Sequence, residues 1–567
     1  MKHFKKIKQW FTDQEHLFYW FLIVLIVPNV VLCFTESMPV TAKACNVLLP
    51  FACYYLLMTL SRNCGKMFWI LFPFTFFGAF QIVLLYLFGR SIIAVDMFLN
   101  LATTNSSEAL ELLDNLVPVL VIVVLLYIPA LVFAMISIVR KRIVSVGFVR
   151  RERKRALVIL LVGVLSLGTA YFTDSRYELK SDLYPVNVCY NVVLAFQRDV
   201  RTREYDDTSK NFTFRAKSIH PQNKKEIYVL VIGETSRALN WELYGYGKET
   251  NPELSKISNL TVFTNALTQS NTTHKSVPMI MSAISSANFD SIYYQKSIIT
   301  AFKEAGFQTA FFSNQRRNHS FIDFFGMEAD TYNFIKENSV GLDDNLSDDE
   351  LLKLIKKELG KGAQKQFIIL HTYGSHFNYR ERYPQDKVAF MPDTPVEAEY
   401  KNRNSLLNAY DNTIRYTDDF LSRLIRMIEE EEVNAAMLYT SDHGEDIFDD
   451  SRHLFLHASP VPSYYQLHVP LLIWTSDAYR KEYPAEVVSL IKNRRKIVST
   501  SNNVFYSLLE IGGIQTSRRC NSLSVVNPMF EEVPYYYLND HNEPRSLNDM
   551  GMDEADFKMF RQLRLRY

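Results

Sequence analysis

The sequence has few cysteines and no excess of either charge. Its six cysteines include no CxxC pair, which excludes the common thiolate zinc sites and leaves no evident disulfide framework. Lysine and arginine number 62 and aspartate and glutamate 61, so the net charge of +1 argues against a nucleic-acid-binding protein. No internal repeat or low-complexity tract is visible. We therefore expect no nucleic-acid partner, and we expect a monomer.

Long apolar stretches are present, but only in the first 175 of the 567 residues. The mean hydropathy of −0.06 therefore averages an apolar part and a polar, tyrosine-rich part. Five stretches have the length of about 17–25 residues that a transmembrane helix needs, at 17–34, 44–61, 67–88, 116–139 and 155–172. One such stretch alone could be a buried core helix, but five in succession predict a five-span transmembrane domain over 1–172.

Lysine and arginine residues indicate how these spans are oriented. They are concentrated before the first stretch, between the second and third, and between the fourth and fifth. These segments share one side when five spans alternate, and basic loops mark the cytoplasmic side. The N-terminus is therefore predicted to be cytoplasmic, and everything after residue 172 to lie outside. Residues 173–225 mix apolar and polar positions and predict an external connector with amphipathic segments.

The remaining part, 226–567, has the pattern of an α/β domain. Short runs that are apolar throughout occur at Ile227–Ile232, Thr309–Phe312, Phe367–Leu370, Ala435–Tyr439 and Val469–Trp474. Helical patterns lie between them, at 295–305, 349–359, 407–430 and 485–494. Apolar strands that alternate with helices predict a mostly parallel sheet flanked by helices on both faces.

Polar side chains follow three of these apolar runs immediately. Glu234 follows the first run, His376 comes shortly after the third, and Asp442 and His443 follow the fourth. The active site of an open α/β sheet lies beyond the carboxyl ends of its parallel strands. We therefore expect these residues to meet at one edge of the sheet.

The Asp442-His443-Gly444 sequence offers a carboxylate oxygen and an imidazole nitrogen, which suit zinc, although manganese accepts similar ligands. Gly444 predicts a sharp turn beside the ion. Each residue also has a structural interpretation. The tripeptide could be a turn with a hydrogen-bonded histidine, and Glu234 could be an acid at a helix N-terminus.

A candidate nucleophile lies in the hydroxyl-rich segment that precedes Pro278. The proline predicts the first turn of a helix. A threonine there would gain reactivity from the helix N-terminus and from a nearby metal ion. Thr272 and Thr273 are both candidates, and either could instead be a simple helix cap.

Four ordered blocks of sequence resemble one known family. The blocks GETSRALNWELYGYGKETNPEL, TTHKSVPMIMS, HTYGSHFNYRERYP and SDHGED…LH resemble the phosphoethanolamine transferases that modify lipid A. These are five-span inner-membrane enzymes of bacteria, with an alkaline-phosphatase/sulfatase-like catalytic domain in the periplasm. The resemblance implies phosphatidylethanolamine as donor, and a lipid A phosphate or another lipopolysaccharide group as acceptor.

The same resemblance implies residue roles. Thr273, rather than Thr272, takes the place of the nucleophile. The principal zinc ligands would be Glu234, Thr273, Asp442 and His443. His376 and His457 match histidines that contact the phospho-group or a second zinc ion. His453 and His468 are interpreted as structural.

The donor headgroup would be held by a segment between the third and fourth spans. Asn100, Thr104 and Glu108 recur at four-residue intervals, hence on one helical face. Spacing alone would favour a solvated face, whereas the resemblance implies that these residues bind the ethanolamine group. After the second predicted strand the chain departs from the family, so His319 or Arg317 would contact phosphate.

A second departure concerns the nucleophile segment, where the family has cysteines and this chain has Gln269 and Met279. Packing must therefore hold that loop. The implied reaction transfers phosphoethanolamine to Thr273, releases diacylglycerol, and then passes the group to the acceptor. A sulfatase is disfavoured because no CxPxR-type stretch is present. A lipoteichoic-acid-synthase-like glycerophosphate transferase is the nearest rival, and a non-enzymatic sensor is a third interpretation.

Overall fold

The structure, a computed structural model, describes residues 13–36, 38–89, 92–98, 106–174, 177–338 and 346–567, without the side chains of 87–88, 106–115 and 338. It contains two compact units. The smaller comprises Met1–Phe98 and Leu112–Phe196, and the larger comprises Leu99–Glu111 and Gln197–Tyr567.

Apolar helices form the smaller unit. They are α1 (Gln14–Thr35), α2 (Val40–Met58), α3 (Cys64–Ile70), α4 (Phe72–Phe88), α5 (Ser106–Val139) and α6 (Val146–Thr173). Four described helices are long and apolar enough to cross a membrane, and α3 with α4 makes a fifth if that bent pair is one span. The predicted third span is thus two helices that meet at an angle of 61°.

Close backbone contact holds α2 against α6. A Cβ atom at Gly163 of α6 would stand 3.0 Å from the Cα of Leu49 in α2, so a larger residue would require the two helices to move apart by a few tenths of an ångström. Small residues at such contacts are the usual means of packing helices within a membrane, where lipid removes the hydrophobic driving force. Short helix α7 (Leu179–Asp182) and the longer α8 (Val186–Arg203) follow α6.

The larger unit is built on a seven-stranded sheet. Its strands, in spatial order, are β3 (Leu260–Phe263), β11 (Leu471–Thr475), β8 (Asn434–Ser441), β2 (Glu226–Gly233), β7 (Lys365–His371), β5 (Gln308–Ser313) and β6 (Thr331–Phe334). The five strands from β8 to β6 are parallel, and β11 runs antiparallel to both of its neighbours. The predicted, mostly parallel sheet is therefore confirmed.

Every residue of β2, β7 and β8 is buried, as expected for strands covered on both faces. One hydrophobic core packs against each face of the sheet. The shorter strands are β1 (Lys217–Ser218), β4 (Ala266–Leu267), β9 (Asp446–Ile447), β10 (Phe455–Leu456), β12 (Val498–Ser499), β13 (Ile514–Gln515), β14 (Tyr537–Leu538) and β15 (Pro544–Arg545).

Helices surround this sheet. They are α9 (Tyr205–Ser209), α10 (Thr273–Ile280), α11 (Ile298–Glu304), α12 (Phe321–Gly326), α13 (Asp349–Leu359), α14 (Arg403–Glu429), α15 (Tyr464–Leu467), α16 (Asp477–Glu482), α17 (Pro484–Asn493), α18 (Asn502–Ile511) and α19 (Glu554–Gln562). The predicted fold class, apolar helices followed by a helix-flanked α/β domain, is confirmed.

Candidate active site and metal centre

Three adjacent parallel strands bring the predicted ligands together. β2 lies between β7 and β8, with Gly233 opposite Ser441 and Ile232 opposite His371. The residues that follow, Glu234 on one strand and Asp442 and His443 on the next, therefore emerge side by side. Their ligand atoms lie within 4.8 Å of one another, and all three residues are buried. The predicted meeting of these groups at one sheet edge is confirmed.

Hydrogen bonds orient Asp442 and His443 toward a common point. Oδ1 of Asp442 accepts the backbone N–H groups of Thr235 (3.0 Å) and His443 (2.7 Å). Its Oδ2 is buried and has no hydrogen-bond partner among the residues that the structure describes. Nδ1 of His443 lies 3.0 Å from the carbonyl oxygen of Gly444, so Nδ1 carries the proton and Nε2 keeps its lone pair.

The Thr273 hydroxyl lies at this same point. Its Oγ1 is 3.2 Å and 3.4 Å from the two carboxylate oxygens of Glu234 and 3.1 Å from Nε2 of His443. Thr273 is the first residue of α10, so the positive end of that helix faces its oxygen. Thr272 precedes the helix, and its hydroxyl contacts Ser270 instead.

Burial changes the protonation of the cluster. Loss of hydration, followed by the charge of Asp442, raises the pKa of Glu234 to about 8. Burial likewise raises the pKa of Asp442 to about 7. The pKa of His443 lies well below its usual value because of burial and then because of neighbouring His457. Two carboxyl groups and a neutral imidazole thus share a dry space in which a cation would replace protons.

The backbone beside the cluster is strained at one residue and crowded at another. Thr235 has φ of +58°, which is unfavourable for a β-branched residue, and this conformation aims its N–H at Asp442. Gly444 does not adopt a left-handed conformation, so backbone freedom at positive φ is not what requires glycine here. A side chain there would stand 2.2 Å from the carbonyl oxygen of Tyr465, and close approach is what requires glycine.

A second group of side chains adjoins the first. The rings of His457 and His443 are 4.1 Å apart, and those of His457 and His376 are 6.4 Å apart. Nδ1 of His457 lies 2.9 Å from Oε2 of Glu445, a fully buried carboxylate. The hydroxyl of Tyr379 donates to the other oxygen of Glu445. Glu445 therefore fixes the orientation of His457.

Two residues that contact the site, Gln315 and Glu445, were not predicted from the sequence. Gln315 follows β5 and donates from Nε2 to Oε2 of Glu234 at 2.9 Å. Its position just after a parallel strand is the feature of the sequence from which its role could have been predicted. Glu445 directly follows the Asp442-His443-Gly444 sequence, but no role was inferred for it.

Hydrogen bonds hold the loop before the nucleophile. The side-chain amide of Gln269 donates to Ser286 and to the backbone of Tyr536, and it accepts from Ser286 and Ser501. The sequence predicted that packing, rather than disulfide bonds, holds this loop. In the structure the loop is held by the buried side-chain amide of Gln269, whose hydrogen-bonding groups are all paired. Pro278 was expected in a first turn, but α10 begins five residues earlier, because Lys275 and Ser276 already donate to the carbonyl of Thr272.

The other predicted residues lie elsewhere. His319 is exposed, and its backbone N–H donates to Asp323, while Arg317 pairs with Glu337. Within the described ranges, neither has a side-chain hydrogen bond or ion pair with Glu234. Asn100 and Thr104 lie outside the described residues, and Glu108 lies in α5 without a described side chain.

The two histidines interpreted as structural are held by local contacts. His468 is buried and contacts the Tyr464 hydroxyl and the carbonyl of Thr264. His453 is exposed and stacks on Tyr400 with the ring centres 3.9 Å apart.

Comparison with known proteins agrees with this geometry. A sequence model described as Sulfatase matches residues 226–514. The phosphoethanolamine transferase EptC of Escherichia coli O18:K1:H7 is 27% identical over 331 residues, which are 57% of this chain and 56% of that relative. The chain thus spans little more than half the length of this curated relative. The match confirms the resemblance stated from the sequence.

Two solved structures are similar as well. The C-terminal periplasmic domain of EptC from Escherichia coli, in complex with Zn, is 26% identical, with a TM-score of 0.54 over 59% of this chain and 96% of that one. The integral membrane phosphoethanolamine transferase EptA of Neisseria meningitidis is 19% identical, with a TM-score of 0.70 over 89% of this chain and 98% of that one. The second likeness shows that both units share a known fold.

Proposed function

This chain belongs to the sulfatase family, whose sequence model matches just over half of it, and on that premise we propose that it is a phosphoethanolamine transferase. The observation that carries the proposal is the Thr273 hydroxyl, which lies 3.1–3.4 Å from Glu234 and His443 at a helix N-terminus. The named relative EptC supports the transferred group.

The cluster fits a divalent cation. Asp442 presents a buried oxygen with no partner in the described part of the chain, and His443 presents the lone pair of Nε2. Glu234, Thr273, Asp442 and His443 would hold the ion. The imidazole and the Zn complex of the EptC domain favour zinc over manganese. When bound there, zinc supplies Lewis-acid stabilisation of the threonine oxygen and of the phosphoryl group.

In the proposed first step, Oγ1 of Thr273 forms a bond to the phosphorus of phosphatidylethanolamine while the bond to the diacylglycerol oxygen breaks. The hydroxyl of Thr273 donates to Oε1 of Glu234, with the two oxygens 3.2 Å apart. As the bond to diacylglycerol breaks, this proton is transferred to the departing diacylglycerol oxygen. An oxygen of the acceptor then forms a bond to phosphorus while the bond between phosphorus and Oγ1 breaks, and the proton of the acceptor hydroxyl passes to Oγ1, which restores Thr273. Positioning and charge stabilisation are the main contributions in phosphoryl transfer.

Two histidines flank this path. His457, oriented by Glu445, and His376 would stabilise the phosphoryl oxygens or hold a second zinc ion. Nδ1 of His376 lies 2.6 Å from the carbonyl of Phe377, so its Nε2 is the nitrogen that remains for a ligand. Burial, and then the charge of Arg382, keeps the pKa of His376 well below its usual value, so the residue acts as a neutral imidazole.

The proposed substrates are lipids. The donor is phosphatidylethanolamine, whose headgroup Asn100, Thr104 and Glu108 would bind, and the acceptor is a lipid A phosphate or another lipopolysaccharide group, with His319 in contact. Apolar helices long enough to span a membrane support anchoring in the bacterial inner membrane. The basic loops support a cytoplasmic N-terminus and a periplasmic catalytic domain.

The decisive experiment is to trap the covalent intermediate. The full chain in detergent is incubated with phosphatidylethanolamine, and mass spectrometry locates the phosphoethanolamine adduct. We expect it on Thr273, and we expect Thr273→Ala to abolish both the adduct and diacylglycerol release. Thr272→Ala is the matched control, because that neighbouring hydroxyl contacts Ser270. Undiminished transfer by Thr273→Ala would refute the proposal.

The acceptor and the transferred group need a separate measurement. Mass spectrometry of lipid A, with and without expression of the gene, would show an added phosphoethanolamine. A glycerophosphate adduct on Thr273 would instead support the lipoteichoic-acid-synthase-like alternative.

A further inference from the structure

Eight buried side-chain atoms of the smaller unit have no hydrogen-bond partner among the residues that the structure describes. Four of them are the hydroxyl oxygens of Tyr54, Tyr127 and Tyr184 and the side-chain oxygen of Asn29. The four residues are at most 4% exposed. Unpaired polar groups are costly in an apolar interior and most costly within a membrane, where they mark functional sites by default.

These residues are neighbours, although they come from separate elements. Asn29 belongs to α1, Tyr54 to α2 and Tyr127 to α5, and Tyr184 lies between α7 and α8. The Tyr184 hydroxyl is within electrostatic range of the hydroxyls of Tyr54 and Tyr127. The side-chain nitrogen of Asn29 donates to the Tyr184 carbonyl at 2.7 Å. The three hydroxyls therefore lie in one region of the unit, and Asn29 is bonded to the backbone of one of the residues that carry them.

A glycine makes room for one of the hydroxyls. A side chain at Gly78 would stand 2.6 Å from the hydroxyl oxygen of Tyr127 and 3.0 Å from the ring of Pro28. One turn earlier on the same helix, the ring of Phe74 lies 5.9 Å from the ring of Tyr54. Pro28 also lacks the N–H that would pair with a carbonyl one turn earlier in α1. That carbonyl oxygen is a further hydrogen-bond acceptor beside these polar side chains.

The amide orientation of Asn29 is fixed by its partners. Its nitrogen donates to two carbonyl oxygens, those of Asn46 (2.8 Å) and Tyr184 (2.7 Å), so the side-chain oxygen is the atom that remains. That oxygen accepts only, whereas each phenolic hydroxyl both donates and accepts. None of the four residues carries a charge near neutral pH. A matching ligand is therefore uncharged and offers a donor and an acceptor together, as a hydroxyl group does.

We propose that Asn29, Tyr54, Tyr127 and Tyr184 form a polar site that binds hydroxyl groups inside the membrane unit. Water and the glycerol hydroxyl of diacylglycerol are the two sources of that chemistry. Exposed Cys189 lies beside Tyr54 and Tyr184, so the site is close to the surface of its unit. The site is inferred from the smaller unit alone and does not rest on the proposed reaction, of which diacylglycerol is a product.

Thermal unfolding of the full chain in detergent tests the site. The variants are Tyr54→Phe, Tyr127→Phe and Tyr184→Phe, singly and together, and Tyr86→Phe is the control because Tyr86 is 46% exposed. A liganded hydroxyl contributes to stability, so each single variant should lower Tm by about 2–4 °C, and the control should not.

The source is distinguished by adding a short-chain diacylglycerol or its methyl ether, which lacks the hydroxyl. Lower Tm of the variants with no effect of lipid identifies water. A rise in Tm of the wild type with diacylglycerol, absent with the ether and absent in the triple variant, identifies the lipid. Single variants that unfold at or above the wild-type temperature, with no selective effect of diacylglycerol on the wild type, would overturn the proposal.

Discussion

Replacing Glu234 by glutamine should stabilise the metal-free protein at alkaline pH, although it removes a proposed metal ligand. In the folded protein, burial and the charge of Asp442 raise the pKa of Glu234 from 4.5 to about 8. The folded state therefore binds more protons than the unfolded state between those values. Its stability is complete below pH 4.5 and decreases as the pH rises toward 8.

The magnitude follows from the shift. Each pKa unit corresponds to about 1.4 kcal/mol, so a shift of this size, part of which comes from the charge of Asp442, costs the metal-free protein about 5 kcal/mol by pH 8.5. For a unit of the size of Gln197–Tyr567, the unfolding entropy is about 0.8 kcal/mol per K, and the cost corresponds to about 6 °C in Tm. Glutamine has no charge to desolvate, so Glu234→Gln should avoid this loss.

The assay is thermal unfolding of the full chain from pH 5 to 8.5, first with a chelator and then with added zinc. With the chelator, the difference between Glu234→Gln and the wild type should grow with pH in favour of the variant. With zinc, the order should reverse, because the wild type keeps the carboxylate ligand. Glu554→Gln, at a 78% exposed side chain, is the control. Parallel pH curves for the two proteins in chelator would refute the electrostatic reasoning.

Three further substitutions test the supporting contacts. Gln269→Ala should lower the free energy of unfolding by about 2–4 kcal/mol in urea denaturation, because four hydrogen bonds are lost; an unchanged midpoint would contradict this. Glu445→Ala should lower kcat about tenfold to hundredfold, because His457 loses the acceptor that orients it. Glu445→Gln should keep more of the transfer rate, because its amide oxygen still accepts from His457. Equal losses in the two variants would contradict the orienting role. Gln315→Leu should weaken zinc affinity about 10–100-fold in a chelator competition, because Glu234 loses its donor; unchanged affinity would exclude that contribution.

The sheet could be predicted because its central strands have a distinctive sequence pattern. Runs such as Ile227–Ile232 are apolar throughout, and only strands covered on both faces need that pattern. The metal cluster could be predicted for the same reason. Three central strands end at one edge, so the residues that follow them must meet there. Candidate functional residues at strand ends can thus be identified from the sequence without knowledge of the whole topology.

Contacts between distant loops were not predictable in this way. Gln315 donates to Glu234 across 81 positions of sequence, and no local pattern marks such a pair. The start of α10 was misjudged because Pro278 was assigned to a first turn, whereas helix formation from Thr273 is set by carbonyl partners that a sequence does not reveal. The bend between α3 and α4 also lies within a continuous apolar stretch, which hydropathy treats as one span.

Thr273 is held by interactions whose strength depends on burial. Two residues before Thr273, the amide of Asn271 donates to Gln466 at 2.6 Å and accepts from Tyr537 at 2.6 Å. Gln466 in turn donates to Asp446 at 2.6 Å, just beyond the Asp442-His443 pair. These bonds connect the loop before Thr273 to the strand end that carries Asp442 and His443, through side chains that are almost fully buried. A covalent link would fix the loop to one neighbour, whereas this network fixes it to the strand end that it must face, and water entering the network would loosen both together.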